Sequence, residues 1–299
     1  MTQWLDMPAP PALPVMYLQA ALRRGITGRV LPDRGLRCTL DVDPAHLARY
    51  RELCGHADDG ALPPAYPHVL AFPLQMHLLT AGDFPFPLLG LVHLENRIRV
   101  LRPLDTKGSL RVSVNAENLQ PHPRGATFDL IARLEDEQGA LWEGVSKLLC
   151  RGASLGEAER ERRQRRSAPL REIARWSVPA DIGRAYARIS GDYNPIHLSP
   201  LTARLFGFDR PIAHGLWNKA RVLAAMADRL PRSGYEVEAC FHRPLVLPGE
   251  ALLMAGEAGE SGHFAVTGAK GKRHLDGSWR PLAAELFEPE PELAVAAQS

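Results

Sequence analysis

Hydrophobic periodicity along the chain shows one order of elements twice. In HGLWNKARVLAAMADRL, Leu216, Ala220, Leu223, Ala224 and Ala227 recur at three- and four-residue spacing, which predicts a helix over 214–230. Its length and few charges predict a helix largely wrapped by other structure. A shorter apolar helix is predicted over 72–81, after a proline-rich approach. Strand-like runs follow each helix, at 110–114, 127–134 and 141–149 in the first half and at 251–255, 264–268 and 281–287 in the second. Gly139 and Gly277 stand as strand punctuation before Trp142 and Trp279. Each half is therefore expected to be a helix followed by an antiparallel meander. One central helix against a curved sheet buries such a pattern economically.

A short shared motif supports duplication. Arg102-Pro103-Leu104 is followed by Gly108, and Arg243-Pro244-Leu245 by Gly249, both fitting RPLxxxG at an offset of 141 residues. Between the halves, 157–175 holds seven arginines and four glutamates, and the mixed signs favour an exposed linker over a nucleic-acid site. The expected organisation is a first repeat over 1–156, an arginine-rich linker over 157–175 and a second repeat over 176–299.

Composition narrows the function classes. With 299 residues, 45% hydrophobic and 23% charged, the chain can bury a core without staples, and a disordered, collagen-like or coiled-coil architecture is excluded. A net charge of +2 argues against nucleic acid or a membrane as the main partner. The N-terminus lacks the pattern of a signal peptide. The stretch 60–82 carries no charge, but its four prolines with His68, Gln75 and His77 exclude a standard membrane-spanning helix. Cys38, Cys54, Cys150 and Cys240 form no CxxC pair, as expected of reduced thiols in a cytoplasmic protein.

The candidate chemistry lies in ISGDYNPIHLSPLTARLFGFDRPIAHGLWN. Gly191 and Pro195 make this segment a loop. On it, the carboxylate of Asp192 and the imidazole of His197 can converge on one water, as adding water to a double bond or removing it requires. Asn194 can fix the loop through its own backbone. Gly215, at the start of the long helix, has no side chain to shield its N–H, which could stabilise negative charge on a thioester oxygen.

The string SGDYNPIH, then Phe206-Gly207-Phe208, PIAHGL and CFHRPLVLPGE, resembles the MaoC-like hydratases, the (R)-specific enoyl-CoA hydratase group. The resemblance spans roughly 176–258. It implies an α+β double hot-dog fold, two tandem repeats each with a long central helix wrapped by a curved antiparallel sheet. It implies a hydro-lyase that reversibly hydrates a trans-2-enoyl thioester to a (3R)-3-hydroxyacyl thioester. Carried onto this sequence, Asp192, His197 and Gly215 are catalytic, with Asn194 and His214 supporting. Arg102 and Arg243, which both halves share, are read as mainly structural, with a weaker reading of Arg243 as a substrate-phosphate contact. His93 and His242 match no motif and are read as structural. The first half keeps RPLxxxG but has no GDxNPxH, and Gly82-Asp83-Phe84-Pro85 imitates only its beginning. The 60–82 region is expected to close loosely and give the acyl chain a wider tunnel.

The implied partner is an acyl-CoA or acyl-carrier-protein substrate, with no cofactor and no metal. The chain is expected to be a monomeric pseudo-dimer or a homodimer. The rivals are a hot-dog thioesterase, a non-catalytic acyl-CoA-binding protein and a metal enzyme. The long helix holds only Asp228, near its far end, where thioesterases of this fold place a carboxylate centrally. For a metal, Asp192, His197 and His214 form a two-histidine, one-carboxylate set.

Overall fold

The computed structural model describes residues 2–23, 25–104, 108–157 and 169–283. The first half runs β1 (Gln3–Asp6), α1 (Leu13–Leu22), β2 (Arg34–Leu40), α2 (Pro44–Cys54), α3 (Tyr66–Thr80), β3 (Leu91–Val100), β4 (Leu110–His122), β5 (Gly125–Asp136) and β6 (Gly139–Arg151). The second half runs β7 (Arg171–Val178), α4 (Ile182–Ser190), a 3-10 turn (Pro195–His197), α5 (Pro200–Arg204), α6 (Gly215–Ala225), β8 (Tyr235–Phe241), β9 (Gly249–Ala255), β10 (Gly262–Thr267) and β11 (Arg273–Pro281).

The strands form one sheet in the order β1-β2-β4-β5-β6-β3-β8-β11-β10-β9-β7. Apart from β1, the order about the β3–β8 seam is mirrored, since β2-β4-β5-β6-β3 on one side matches β7-β9-β10-β11-β8 on the other. Strands β3 and β8 pair antiparallel, with Ile98 opposite Val237 and Asn96 opposite Ala239, so the seam is continuous sheet. Alternating positions of the strands turn Phe128, Leu134, Trp142, Val237, Phe264 and Trp279 into a core shared with α3 and α6. Two copies of a helix wrapped by antiparallel sheet thus meet edge to edge, the double hot-dog α+β arrangement that the resemblance implies.

Several boundaries differ from the sequence reading. Helix α3 begins at Tyr66 rather than 72, because Pro67 falls in the first turn, where no backbone donor is needed. It continues through Pro73 and is largely buried, with Leu74 and Leu78 fully so, which overturns the expected loose region and wide tunnel at 60–82. Helix α6 ends at Ala225, short of 230. The last described strand is 273–281 rather than 281–287, and 284–287 lie outside the described residues. Gly277 is no turn. It sits in mid-strand, where a Cβ would lie 2.0 Å from the Glu238 carbonyl oxygen and 2.5 Å from the Phe264 ring. Strand β7 starts at Arg171, inside the segment read as linker, while 158–168 lie outside the described residues. All four cysteines are buried free thiols. Among the described residues no helix is long and apolar enough to cross a membrane.

Candidate active site

The site is built on the turn leaving α4. Ser190 closes the helix by donating its hydroxyl to the Tyr186 carbonyl, and the same oxygen accepts the Asp192 amide at 3.1 Å. Gly191 takes the left-handed conformation (φ +77°) that reverses the chain and that side chains disfavour. The Asp192 carboxylate accepts the Asn194 amide at 3.1 Å, and the Asn194 side chain accepts the Ile196 amide at 3.4 Å, capping the 3-10 turn that presents His197. Asn194 therefore fixes the loop, as its residue type predicts. Below it, Ser199 and Thr202 form a reciprocal capping box for α5, and the Thr202 hydroxyl donates to the Pro195 carbonyl.

Hydrogen bonds fix the tautomers of both histidines. His197 Nδ1 lies 2.7 Å from the Ile212 carbonyl, so it carries the proton and leaves Nε2 with a lone pair. His214 Nε2 lies 2.9 Å from the Asp192 carbonyl and so is a donor, leaving its buried Nδ1 without a protein partner. A carboxylate oxygen of Asp192 and one ring nitrogen from each histidine all lie within 4.8 Å of one another. The Asp192 side chain is 32% exposed, so the pair remains reachable although both histidines are buried.

Electrostatics favour neutral imidazoles. Burial, reinforced by His214, pushes His197 down to about 3. Burial pushes His214 down to about 4, against its bond to the Asp192 backbone. Burial raises the Asp192 carboxyl, opposed by His197 and the Asn194 amide. The rings of His197 and His214 stack with centroids 3.6 Å apart and planes at 26°. The donor types suit a transition metal, and the ligand atoms of the three residues lie close enough together to share one.

Gly215 opens α6 with His214 as its N-cap residue, so its amide is among the unpaired donors of the helix start. A Cβ there would lie 3.0 Å from the Phe241 ring, so only glycine fits without displacing that ring. Asp192, Asn194, His197, His214 and Gly215 are thus gathered in one place. Arg243 lies on an exposed turn, where its carbonyl accepts from His274 Nδ1, while Arg102 is tied to Asp136, Gln138 and two backbone carbonyls. The two RPLxxxG arginines therefore differ, and only the first is built into the fold. His93 packs against Phe241, and His242 pairs with Asp276.

The sequence model of the MaoC-like domain matches residues 154–276. Over 257 residues the chain is 36% identical to 3-hydroxyacyl-thioester dehydratase X of Mycobacterium tuberculosis, covering 84% of this chain and 91% of that protein. The chain belongs to the MaoC-like dehydratase family. The crystal structure of HtdX from the same bacterium superposes with a TM-score of 0.71 at 32% identity, covering 82% of this chain and all of that one. Peroxisomal enoyl-CoA hydratase 2 of Arabidopsis thaliana is 31% identical over 146 residues, 42% of this chain and 45% of that protein.

Within this MaoC-like chain, topology locates the first-half counterpart of the turn that carries Asp192. It is Gly55-His56, not Gly82-Asp83. In both halves a strand (β2, β7) leads to a helix (α2, α4) that ends in a left-handed glycine, Gly55 at φ +74° and Gly191 at φ +77°. His56 stands where the second half has Asp192, and burial pushes it down to about 4. Asp83 is a surface residue paired with Arg34. The signal for this pairing was a helix-ending glycine, and it is visible only once the helices before it are recognised. Sequence reasoning also missed Tyr17 and Lys219. Neither belongs to a motif, and both act through partners far along the chain.

Proposed function

We propose that this MaoC-like protein hydrates enoyl thioesters, and dehydrates 3-hydroxyacyl thioesters in reverse, through Asp192 and His197. Its relatives named 3-hydroxyacyl-thioester dehydratase and enoyl-CoA hydratase place it among the hydro-lyases. The observation that carries the residue assignment is the free Nε2 of a neutral His197 beside the Asp192 carboxyl, at the start of α6. In hydration, water held by the pair loses a proton to it and its oxygen bonds to C3. The pair returns a proton to C2, so it ends as it began. The Gly215 amide would carry the negative charge that builds on the thioester oxygen between those events.

Further features of the substrate follow on the same reading. Leu13, Pro14, Tyr17 and Leu89 form with Tyr193 and Pro195 an apolar cleft of about 580 Å³ beside the Asp192 loop. It is suited to the acyl chain, in place of the tunnel expected at 60–82. The exposed Arg243 is suited to a phosphate of CoA or of a carrier's pantetheine arm. The reaction balances with water and thioester alone and needs no cofactor. Buried reduced thiols fit a cytoplasmic setting, and the internal pseudo-dimer fits a chain that works as a monomer or pairs again. The thioesterase reading loses support, because Asp228 lies beyond the end of α6.

Absorbance loss on hydration of trans-2-enoyl-CoA tests the proposal. Asp192→Asn and His197→Gln are each expected to cut the rate by ~10²-fold or more, the scale of general acid–base catalysis. Full activity in either variant, or release of free CoA as the main reaction, overturns it.

A further inference from the structure

The catalytic turn of the second half is held from outside by the first helix of the chain. The Tyr17 hydroxyl donates to the Gly191 carbonyl at 2.7 Å and accepts the Tyr193 amide at 2.7 Å. A hydroxyl has one proton and two lone pairs, so it can make both bonds at once. These partners flank Asp192 on either side. The peptide before Asp192 has its carbonyl on Tyr17 and its N–H on Ser190, and the peptide after it has its carbonyl on His214 and its N–H on Tyr17. All four backbone polar groups around the Asp192 Cα are engaged, and Tyr17 holds two of them.

Packing brings α1 to the same place. Leu13, one turn before Tyr17 on the same helix face, rests against Gly191, where a Cβ would lie 2.5 Å from its Cδ1. The Tyr17 and Tyr193 rings meet edge to face at 6.0 Å. Neighbouring positions on the other face, Val15, Leu18 and Leu22, are exposed, so the contact with the loop is confined to one side of α1.

We propose that Tyr17 is a positioning residue for Asp192. It fixes both peptides that carry the side chain and so sets the direction of the carboxylate toward His197 and the bound water. This rests on the reading of Asp192 as part of the acid–base pair. Misplacing a reacting group costs rate without weakening substrate affinity to the same degree. The degenerate half thus supplies the active half with a part it lacks.

Tyr17→Phe keeps the ring and its packing and removes only the hydroxyl. The expected result is a kcat for hydration lower by ~10-fold, equivalent to the loss of one to two neutral hydrogen bonds in the transition state, with KM little changed. The pH profile of kcat is expected to move with it, as the Asp192 carboxyl loses its fixed setting. Amide hydrogen exchange without substrate is expected to quicken at 191–194. Leu18→Ser, on the exposed face, serves as the control and should retain wild-type kcat and exchange. Faster exchange with unchanged kcat would show a structural tie only and overturn the proposal, as would a rise in KM alone. A wild-type enzyme inactive on every chain length defeats the hydratase reading itself. That result comes from the unmutated protein, so it is distinct from a failure at Tyr17.

Discussion

His197 and His214 stack ring on ring at 3.6 Å, and each spends its one ring proton on a backbone carbonyl, of Ile212 and Asp192 respectively. Two imidazolium ions could not share that contact, and burial pushes each ring below its ordinary value, so neutral rings are favoured across the physiological range. The rate should therefore show no imidazole titration near ~6.5, the ordinary value for histidine. The expected kcat/KM profile has no histidine inflection near neutrality, and its acid limb follows the Asp192 carboxyl, which burial raises above the ordinary carboxylate range. An inflection near neutrality that disappears in His197→Gln would show that His197 titrates there and would contradict the tautomer assignment.

Gly191→Ala should damage both stability and catalysis. The position needs φ +77°, and an added Cβ would press on Leu13 and on Phe72 of α3. Left-handed backbone alone costs a non-glycine residue ~1–2 kcal/mol, before any displacement of α1. Denaturant titration should show that loss, with kcat falling further than stability explains because the turn carries Asp192. Wild-type stability in this variant would refute the close packing of α1 on the loop.

Burial also couples stability to acid. It pushes His56, His68 and His214 down to about 4, and His93 and His197 down to about 3. In the unfolded chain these groups titrate near ~6.5. Between the two values the unfolded state binds more protons, so stability is full above pH 6.5 and falls as pH drops toward 3 to 4. Thermal unfolding at pH 7.5, 6 and 5 should show a midpoint that declines steadily. His68→Gln should flatten the decline. A midpoint constant from pH 7.5 to 5 would contradict neutral burial of this set.

The grouping of the candidate site residues was more legible than the framework around them. Asp192, Asn194 and His197 lie within one turn whose glycine and proline mark it as a loop, so local rules bring them together. The prolines misled, since Pro67 and Pro73 suggested a late, loose helix, whereas one sits in a first turn and the other is carried by the packing around α3. Gly277 misled for the opposite reason. A close approach between strands and a turn both call for glycine, and only the pairing of β11 with β8 separates them. Tyr17 was invisible because its bond to Gly191 spans 174 residues and the residues around it on α1 carry no pattern.

Lys219 and Asn96 extend the same lesson to the seam between the halves. Lys219, wholly buried on α6, donates to the Asn96 carbonyl and side-chain oxygen at 2.9 and 2.7 Å, and to the Val237 carbonyl at 3.2 Å. Asn96 in turn donates to the Ser146 hydroxyl at 3.1 Å. The central helix of the second half is thereby pinned to both strands of the β3–β8 junction. Burial drives the Lys219 amine well below its ordinary range, opposed by Glu238, Cys240 and Glu236. Removing one partner leaves the other buried and short of a bond, while replacing both with apolar groups of similar size removes the need for either. Asn96→Leu and Lys219→Met should each lower stability by ~1–3 kcal/mol, the usual cost of an unsatisfied buried polar group. The double variant should be less damaged than the sum of the two. Strict additivity in a double-mutant cycle by urea denaturation would show that the two residues do not form one unit.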